Sequence, residues 1–283
     1  MGRKLEKVTE EFQAFQKQKE GNNTGHSGSP KWLMIIILLF ILASGYNIFH
    51  SYNSHYEGNK IYKKLEQEVV YKKPEQGGIG KKKKGIIQEI EASRDEKAPI
   101  KVDFTALDEK NSDIIAWIYI EALDLSYPVL QSSDNEYYLH RTVDETYNFA
   151  GSVFMDAEND RDFNDSNSII YGHNMADGSM FGRLKEFNQN DAYQRSPYIW
   201  ILTNQGDYRY EIFSTQVVTV SSECYTLFDN EDSYYLEFLH RMRMNSNIET
   251  SIREFGITDK VLTLSTCAGD GNDSDRYIVQ AVR

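Results

Sequence analysis

Eight runs of β-branched and aromatic residues, separated by segments with turns of Gly, Asn and Asp, are spread over the sequence after residue 112. The runs cover residues 113–120, 127–131, 151–155, 167–173, 198–203, 208–220, 260–267 and 276–283. Residues of these types favour strands, because their side chains pack well on a pleated surface. The pattern therefore predicts a mainly β fold, either a barrel or a sandwich.

A few helical patterns accompany the strands. Residues 233–244 place Tyr235, Phe238, Leu239 and Met242 on one helical face, and residues 180–188 read as a second helix. Nearer the N-terminus, residues 59–70 and 86–92 also have helical patterns, with Pro, Gly and a run of four lysines between them. We therefore expect N-terminal helices ahead of the β domain and one long helix before the strand 260–267.

The N-terminal part contains an apolar run without any charge, from Trp32 to Phe49. Its 18 residues lie at the short end of what spans a bilayer as a helix, and Trp32 and Tyr46 suit the two interfaces. A cleaved signal peptide would need a shorter apolar run and a small-residue cleavage site, and a buried core helix would carry a polar face. The run predicts an uncleaved transmembrane anchor. Flanking lysines do not decide its orientation.

Charge divides the chain at about residue 95. Residues 1–95 carry 16 Lys and Arg against 11 Asp and Glu, whereas the remainder carries 15 against 32. So acidic a body would repel a phosphate backbone, which excludes nucleic acid as a partner. We expect an N-terminal segment at 1–31, the transmembrane anchor at 32–49, a stalk with N-terminal helices at 50–95, and the β domain at 96–283.

Only two cysteines are present, Cys224 and Cys267, and they form no CxxC metal or redox motif. A disulfide between them would remove a nucleophilic thiol, so we interpret Cys224 as a structural free thiol. The carboxylates of residues 155–165 are dense, and a solvated acidic loop explains them better than a calcium site. The sequence thus predicts no metal and no cofactor.

Three chemically active side chains stand at predicted strand ends. Cys267 closes the run TLSTC, Arg276 opens the last strand after a polar loop, and His173 closes SIIYGH. A thiol that attacks a carbonyl needs an imidazole partner and a donor for the oxyanion, and Arg offers a permanent charge with several N–H donors. Each residue alone has an ordinary structural explanation. Together they form a specific pattern.

The segments SIIYGHNM (168–175), TLSTC (263–267) and RYIV (276–279) resemble the sortase family, most closely its class B. The resemblance covers about two thirds of the chain, from about Glu96 to Arg283. It implies a closed eight-stranded sortase β-barrel with N-terminal helices and a long helix before the nucleophile strand. The catalytic residues it implies are Cys267, His173 and Arg276. The substrate-binding residues we expect are Asn135, Leu139, Ser265 and Thr266, with Tyr225 added because its segment leads into the long helix. Ala268 departs from relatives that carry an acid there, and no role is transferred to it.

The reaction implied by the resemblance is transpeptidation by a membrane-anchored extracellular enzyme. Residues 1–31 would then be cytoplasmic, and residues 96–283 would form the sortase catalytic domain. Its substrates would be secreted proteins with C-terminal sorting signals of the NPxTx or LPxTG type, cleaved after Thr. The acceptor would be a peptidoglycan precursor amine. A pilin lysine as acceptor, a hydrolytic cysteine peptidase on another fold, and a membrane-tethered binding module remain as alternatives.

Overall fold

The computed structural model describes residues 31–73, 97–189, 191–267 and 274–283, without the side chains of residues 31, 47–55, 189 and 267. The first 30 residues, the predicted stalk from residue 74 with its lysine run, the predicted helix 86–92 and Ala268 lie outside the described residues. The chain divides into two compact units, and the unit from Ser51 to Arg283 contains the β domain.

The β domain is a closed barrel, which confirms the predicted fold. Ten strands are described in chain order: β1 Val70–Lys72, β2 Ile100–Val102, β3 Ile114–Ile120, β4 Leu125–Leu130, β5 Val153–Met155, β6 Asn167–Tyr171, β7 Tyr198–Leu202, β8 Asp207–Thr219, β9 Val261–Cys267 and β10 Asp275–Val282. Strands β3 to β10 close the barrel in the order β10-β8-β7-β3-β4-β5-β6-β9, while β1 and β2 form a separate antiparallel pair. The eight predicted runs match the eight barrel strands to within one or two residues at each end.

Two pairs of barrel strands run parallel, β4 with β5 and β6 with β9, and the other pairs are antiparallel. The parallel pair β6–β9 aligns Tyr171 with Ser265, so the carboxyl ends of these two strands lie at one rim of the barrel. The antiparallel partner of β9 is β10, which begins at that same rim. The ends of the three strands β6, β9 and β10 therefore meet at this rim.

Five helices accompany the strands in the described residues: α1 Lys31–Val69, α2 Phe104–Lys110, α3 Glu186–Gln189, α4 Ala192–Arg195 and α5 Ser233–Met244. Helix α5 has the predicted bounds, and Asp232 caps its N-terminus by accepting hydrogen bonds from the backbone N–H groups of Tyr234 and Tyr235. Its four predicted apolar residues are buried in a cluster with Phe213, Cys224 and Ile278. Burial of one apolar stripe explains why this segment is helical beside the barrel.

Helix α1 contains the predicted helix 59–70 and ends at Val69, because Val70 instead pairs with Val102 in the small sheet. Tyr62, Leu65 and Val69 recur at helical spacing and are buried in the main core of the β domain. Within the part of the chain that the structure describes, no helix has the length and apolarity needed to cross a membrane. The side chains of residues 47–49, which complete the predicted transmembrane run 32–49, lie outside that part.

The prediction of a helix over residues 180–188 was wrong for most of that segment. Met180 has a positive φ of 50°, and residues 181–185 form successive turns before the short helix α3 begins at Glu186. Gly182 packs so closely that an added Cβ would lie 2.2 Å from the Met175 carbonyl oxygen. This close backbone contact favours successive turns over a helix, and a helical pattern in the sequence does not reveal it.

Candidate active site

The predicted nucleophile and the predicted arginine are neighbours across a β ladder. Cys267 is the last residue of β9, and its Cα partner in the antiparallel pair is Arg276, the second residue of β10. This register arises because the intervening loop joins two adjacent strands. The shared position at the barrel rim, which the sequence predicted, is confirmed for the backbone. The side chain of Cys267 lies outside the described residues.

Arg276 is half-buried beside this rim. Its Nη1 donates a hydrogen bond to the Asp275 carbonyl oxygen at 3.0 Å. The guanidinium is a planar group with five N–H donors, and Arg276 lines the cavity described below.

His173 lies two residues beyond the end of β6, because the strand stops at Tyr171 and not at the predicted residue 173. Its Nε2 lies 2.8 Å from the Leu139 carbonyl oxygen, so Nε2–H is the donor and Nδ1 is the nitrogen left to exchange a proton. The ring stacks against His140 at 5.5 Å and Phe149 at 5.6 Å between centroids. The contacts with these two rings and the hydrogen bond to Leu139 therefore define the orientation of the His173 ring.

The surroundings of His173 disfavour its charged form. Burial lowers the pKa of His173 below its usual value, and the nearby His140 lowers it further, while the hydrogen bond to Leu139 opposes both effects. Nδ1 of His140 is buried and has no hydrogen-bond partner among the described residues. The neutral imidazole is therefore the favoured resting form of His173.

The Leu139 carbonyl belongs to a 3₁₀ turn, Tyr138–His140, that is fixed at both ends. The N–H of Ser152 donates to the Tyr138 carbonyl oxygen at 3.0 Å, and the N–H of Asn148 donates to that of His140 at 3.0 Å. Gly151, with φ of 57°, packs directly on this turn. The acceptor that orients His173 is thus set by main-chain contacts within residues 138–152.

A cavity of about 380 Å³ opens between these elements. Its lining includes both described members of the predicted triad, and every predicted substrate-binding residue. It is lined by Asn135, Leu139, Phe154, Tyr171, Gly172, His173, Val220, Tyr225, Ser265, Thr266 and Arg276. Asn135, Leu139, Ser265, Thr266 and Tyr225 thus lie together, as the sequence-based expectation of a single groove requires.

Hydrogen bonds between side chains hold the polar wall of the cavity. Tyr171 donates to Asp156 Oδ2 at 2.8 Å, and Asn135 Nδ2 donates to the same oxygen at 3.1 Å. On the neighbouring wall the hydroxyls of Tyr225 and Ser265 are 2.8 Å apart, and the rings of Tyr171 and Tyr225 stack at 6.4 Å. Burial raises the pKa of Tyr171, and its bond to Asp156 raises it further, so the phenol remains a donor.

Sequence reasoning missed four residues of the cavity wall: Phe154, Tyr171, Gly172 and Val220. Tyr171 stands directly before the Gly–His pair at a strand end, and that position was a usable signal. Phe154 lies on β5 with its ring 5.4 Å from that of Tyr171. No comparable signal in the sequence distinguishes Val220, which follows the end of β8.

The acidic segment 155–165 uses its carboxylates internally. Asp165 accepts from Asn159 Nδ2 and from the N–H of Asp160, each at 2.7 Å, and Asp162 accepts from the N–H of Asn164 at 2.9 Å. Among the described residues, no group of three or more His, Cys, Asp or Glu side chains is arranged to hold a metal ion. The carboxylates thus serve to shape turns.

Cys224 is a free, fully buried cysteine that does not line the cavity. Its Sγ lies 3.5 Å from Met242 Sδ, and burial raises the pKa of its thiol. These properties agree with the structural role predicted for it, because a reactive thiol requires exposure and a lowered pKa.

Comparison with known proteins identifies the class to which this fold and cavity belong. A model of the sortase domain family matches residues 118–283. The chain belongs to the sortase family, and it is accordingly a cysteine transpeptidase that acts at the cell envelope on proteins with sorting signals.

The relatives that match are named sortase B. Sortase B of Listeria monocytogenes is 27% identical over 251 residues, which cover 88% of this chain and 94% of the relative. Sortase B of Staphylococcus aureus is 27% identical over 248 residues, covering 87% and 93%. The crystal structure of sortase B from Bacillus anthracis in complex with AAEK1 superposes with a TM-score of 0.64 at 28% identity, covering 82% of this chain and 98% of that one. The chain is therefore most similar to class B members.

Proposed function

We propose that this chain is a cell-wall sortase, in which Cys267 cleaves a C-terminal sorting signal after Thr and transfers the protein to an amine of a peptidoglycan precursor. The observation that carries the proposal is the convergence at one cavity. Cys267 and Arg276 are paired across β9 and β10, and both Arg276 and His173 line the same 380 Å³ cavity. The thiol, the imidazole and the guanidinium can supply the nucleophile, the proton carrier and the oxyanion donor of an acyl transfer.

In the first half-reaction the Cys267 thiolate attacks the Thr carbonyl carbon of the signal. The N–H donors of Arg276 stabilise the negative charge that develops on the carbonyl oxygen. When the intermediate collapses, the C–N bond breaks and the leaving amine takes a proton from Nδ1 of the His173 imidazolium. The product is a thioester between the protein substrate and Cys267.

In the second half-reaction an acceptor amine attacks the thioester carbonyl. His173, now neutral, takes the proton that the amine loses, and the C–S bond breaks to return the thiolate. Nε2–H can stay bound to the Leu139 carbonyl oxygen throughout, because only Nδ1 changes its protonation. One imidazole thus serves as acid and then as base without changing its orientation.

The ionisation of Cys267 and His173 limits the rate, because the reaction starts from a thiolate and an imidazolium. With reference pKa values of about 8.5 for Cys and about 6.5 for His, only on the order of 1% of molecules carry thiolate and imidazolium together at neutral pH. Burial lowers the pKa of His173, which reduces the imidazolium population further. We expect slow turnover for this reason.

The cavity walls suit an extended peptide with both polar and apolar side chains. Asn135 and the Tyr225–Ser265 pair offer donors and acceptors, whereas Leu139 and Phe154 offer apolar contact. A signal of the NPxTx type, with one amide side chain and a Thr, fits these walls better than a wholly apolar peptide. Backbone donors at the rim would hold the peptide extended.

We further propose that residues 32–49 anchor the enzyme in the cell membrane, with residues 1–31 cytoplasmic, 50–95 a stalk with N-terminal helices and 96–283 the extracellular catalytic domain. The support is the charge-free sequence of this run and the exposure of its large side chains, which reaches 75% at Phe40. Extraction of membranes at alkaline pH tests the anchor. Retention in the pellet is expected, and release with peripheral proteins contradicts it.

The test of the function is a reaction with labelled sorting peptides in the presence of an acceptor. With an oligoglycine amine in excess, we expect the amide product to exceed the hydrolysis product. Cys267→Ala and His173→Gln should each abolish both products. Arg276→Lys keeps the charge but loses the donor fork, so we expect at least a hundredfold fall in kcat.

Two other activities would give different products. A hydrolytic cysteine peptidase would yield mainly the free carboxylate, whatever the amine concentration. A pilin-polymerising sortase would ignore oligoglycine and form isopeptide bonds with a lysine of a pilin subunit. A wild-type chain that forms neither product, and whose peptide binding Cys267→Ala leaves unchanged, would instead point to a binding module and would remove the basis of the proposal.

A further inference from the structure

Helix α1 contacts the chain segments on both sides of His173 through two polar side chains. Tyr62 is buried, and its hydroxyl donates to the Gly151 carbonyl oxygen at 2.8 Å and lies 2.8 Å from Ser152 Oγ. Asn59, almost one turn earlier, donates from Nδ2 to Asp177 Oδ2 at 2.6 Å. One contacted segment precedes His173 in the chain and the other follows it.

The first contact leads directly to the imidazole. Gly151 packs so tightly on the 3₁₀ turn that a Cβ added there would lie 2.3 Å from the Leu139 carbonyl oxygen. That oxygen is the acceptor for His173 Nε2. Tyr62, Gly151, Leu139 and His173 therefore form one unbroken series of contacts from the helix to the proposed acid and base.

The second contact fixes the chain that follows His173. Asp177, held by Asn59, also accepts a hydrogen bond from the N–H of Ser179 at 3.0 Å. The loop then returns, and the N–H of Phe181 donates to the His173 carbonyl oxygen at 3.0 Å. The helix thereby restrains the backbone of His173 as well as the acceptor of its side chain.

The support from helix α1 matters because the acceptor of the His173 ring is a backbone carbonyl group. A backbone carbonyl cannot turn toward the imidazole as a flexible carboxylate side chain can, so its position depends on whatever fixes the main chain. Burial raises the pKa of Tyr62 well above its usual range, so the phenol keeps its proton and remains a donor to Gly151. The hydroxyl of Tyr62 is thus a permanent support for the turn.

We infer that Tyr62 is a positioning residue for His173, acting through Gly151 and the Leu139 carbonyl group. The inference rests on the proposed role of His173 as acid and base. It gives helix α1 a part in the chemistry beyond the apolar packing of Leu65 and Val69.

The test compares Tyr62→Phe with Tyr235→Phe in the full-length chain, kept in detergent. Tyr235 is an equally buried tyrosine whose hydroxyl lies 2.8 Å from the Ser166 carbonyl oxygen and 2.6 Å from that of Asp259, at the opposite end of β6. Both changes remove one buried hydroxyl, so they should destabilise the fold comparably. Only Tyr62→Phe should lower kcat, by about tenfold, with KM for the sorting peptide within twofold of wild type.

A second readout does not depend on catalysis. The pKa of His173 is followed by NMR in protein labelled with ¹³C at histidine Cε1, with His173→Gln used to assign the signal. Because the hydrogen bond to Leu139 raises the pKa of His173, a buried ring that loses this bond should titrate at a lower pH than in the wild type. Tyr235→Phe should leave the titration unchanged.

The outcomes separate the inference from the proposed function. The inference alone is overturned if His173→Gln is inactive while Tyr62→Phe is fully active and the pKa of His173 is unchanged in it. Full activity in His173→Gln overturns the proposed function, and the inference with it. Equal losses of kcat in Tyr62→Phe and Tyr235→Phe would mean that the hydroxyl serves stability only, which also overturns it.

Discussion

Substitution of Gly151 by Ala tests how His173 is held. Gly151 has φ of 57°, a conformation that costs a residue with a Cβ roughly 1–2 kcal/mol. In addition, the new Cβ would lie 2.3 Å from the Leu139 carbonyl oxygen, whereas ordinary contacts begin near 3.4 Å. The carbonyl must therefore move by about 1 Å relative to residue 151, since the obstacle is backbone and cannot rotate aside.

A displacement of about 1 Å is enough to break the hydrogen bond between His173 and the Leu139 carbonyl group. His173 Nε2 now lies 2.8 Å from the Leu139 carbonyl oxygen, so a further 1 Å, roughly, would leave no hydrogen bond. Misplacement of a catalytic group by about 1 Å can cost on the order of a hundredfold in rate. We expect Gly151→Ala to lower kcat about thirty- to a hundredfold and the melting temperature by about 5–10 °C.

The assay is steady-state transfer of a sorting peptide to oligoglycine, with thermal unfolding measured on the same samples. Gly178→Ala is the matched control, because Gly178 also has a positive φ, 81°, but its Cβ would meet only the Arg183 side chain, which can move aside. The control should lose stability and keep kcat within about threefold of wild type. A folded Gly151→Ala with the kcat of the control would refute the proposed positioning of His173 by Leu139.

Three further outcomes are expected. Tyr171→Phe removes a donor from Asp156, so KM for the signal peptide should rise about three- to tenfold while kcat changes less, measured by steady-state kinetics. Cys224→Ser places a hydroxyl in an apolar cluster and should destabilise the fold by about 1–3 kcal/mol in urea unfolding, with transfer activity unchanged. Because the folded-state pKa of His173 is lowered, the unfolded chain binds more protons below pH ~6.5 and stability rises with pH in that range. His173→Gln should flatten this rise, as measured by urea unfolding between pH ~5 and ~7.

Much of the barrel could be predicted because its signals are local. Each barrel strand is a run of β-branched and aromatic residues, and α5 has a four-residue apolar face that the structure buries as predicted. Such patterns survive because the same side chains that favour the element also fill the core. The predicted helix 180–188 failed where a long-range backbone contact, that of Gly182 with Met175, replaced the local preference.

The candidate site was predicted from residue types at strand ends, together with the family resemblance. The pairing of Cys267 with Arg276 follows from two consecutive strands and a short loop, and such a relation can be inferred from sequence. The support of His173 could not be inferred in this way. Its acceptor is a backbone carbonyl at Leu139, which every residue type possesses, and its ring neighbours His140 and Phe149 come from a separate segment.

The most direct test of the account is mass spectrometry of the enzyme quenched during reaction with a sorting peptide. We predict a mass increase equal to that of the peptide truncated after Thr less one water, as a thioester requires. The adduct should be located on Cys267 by digestion, abolished by Cys267→Ala and removed by added oligoglycine. An adduct on Cys224, or cleavage of the signal that proceeds without any acylated enzyme, would contradict the assignment of Cys267 as the nucleophile.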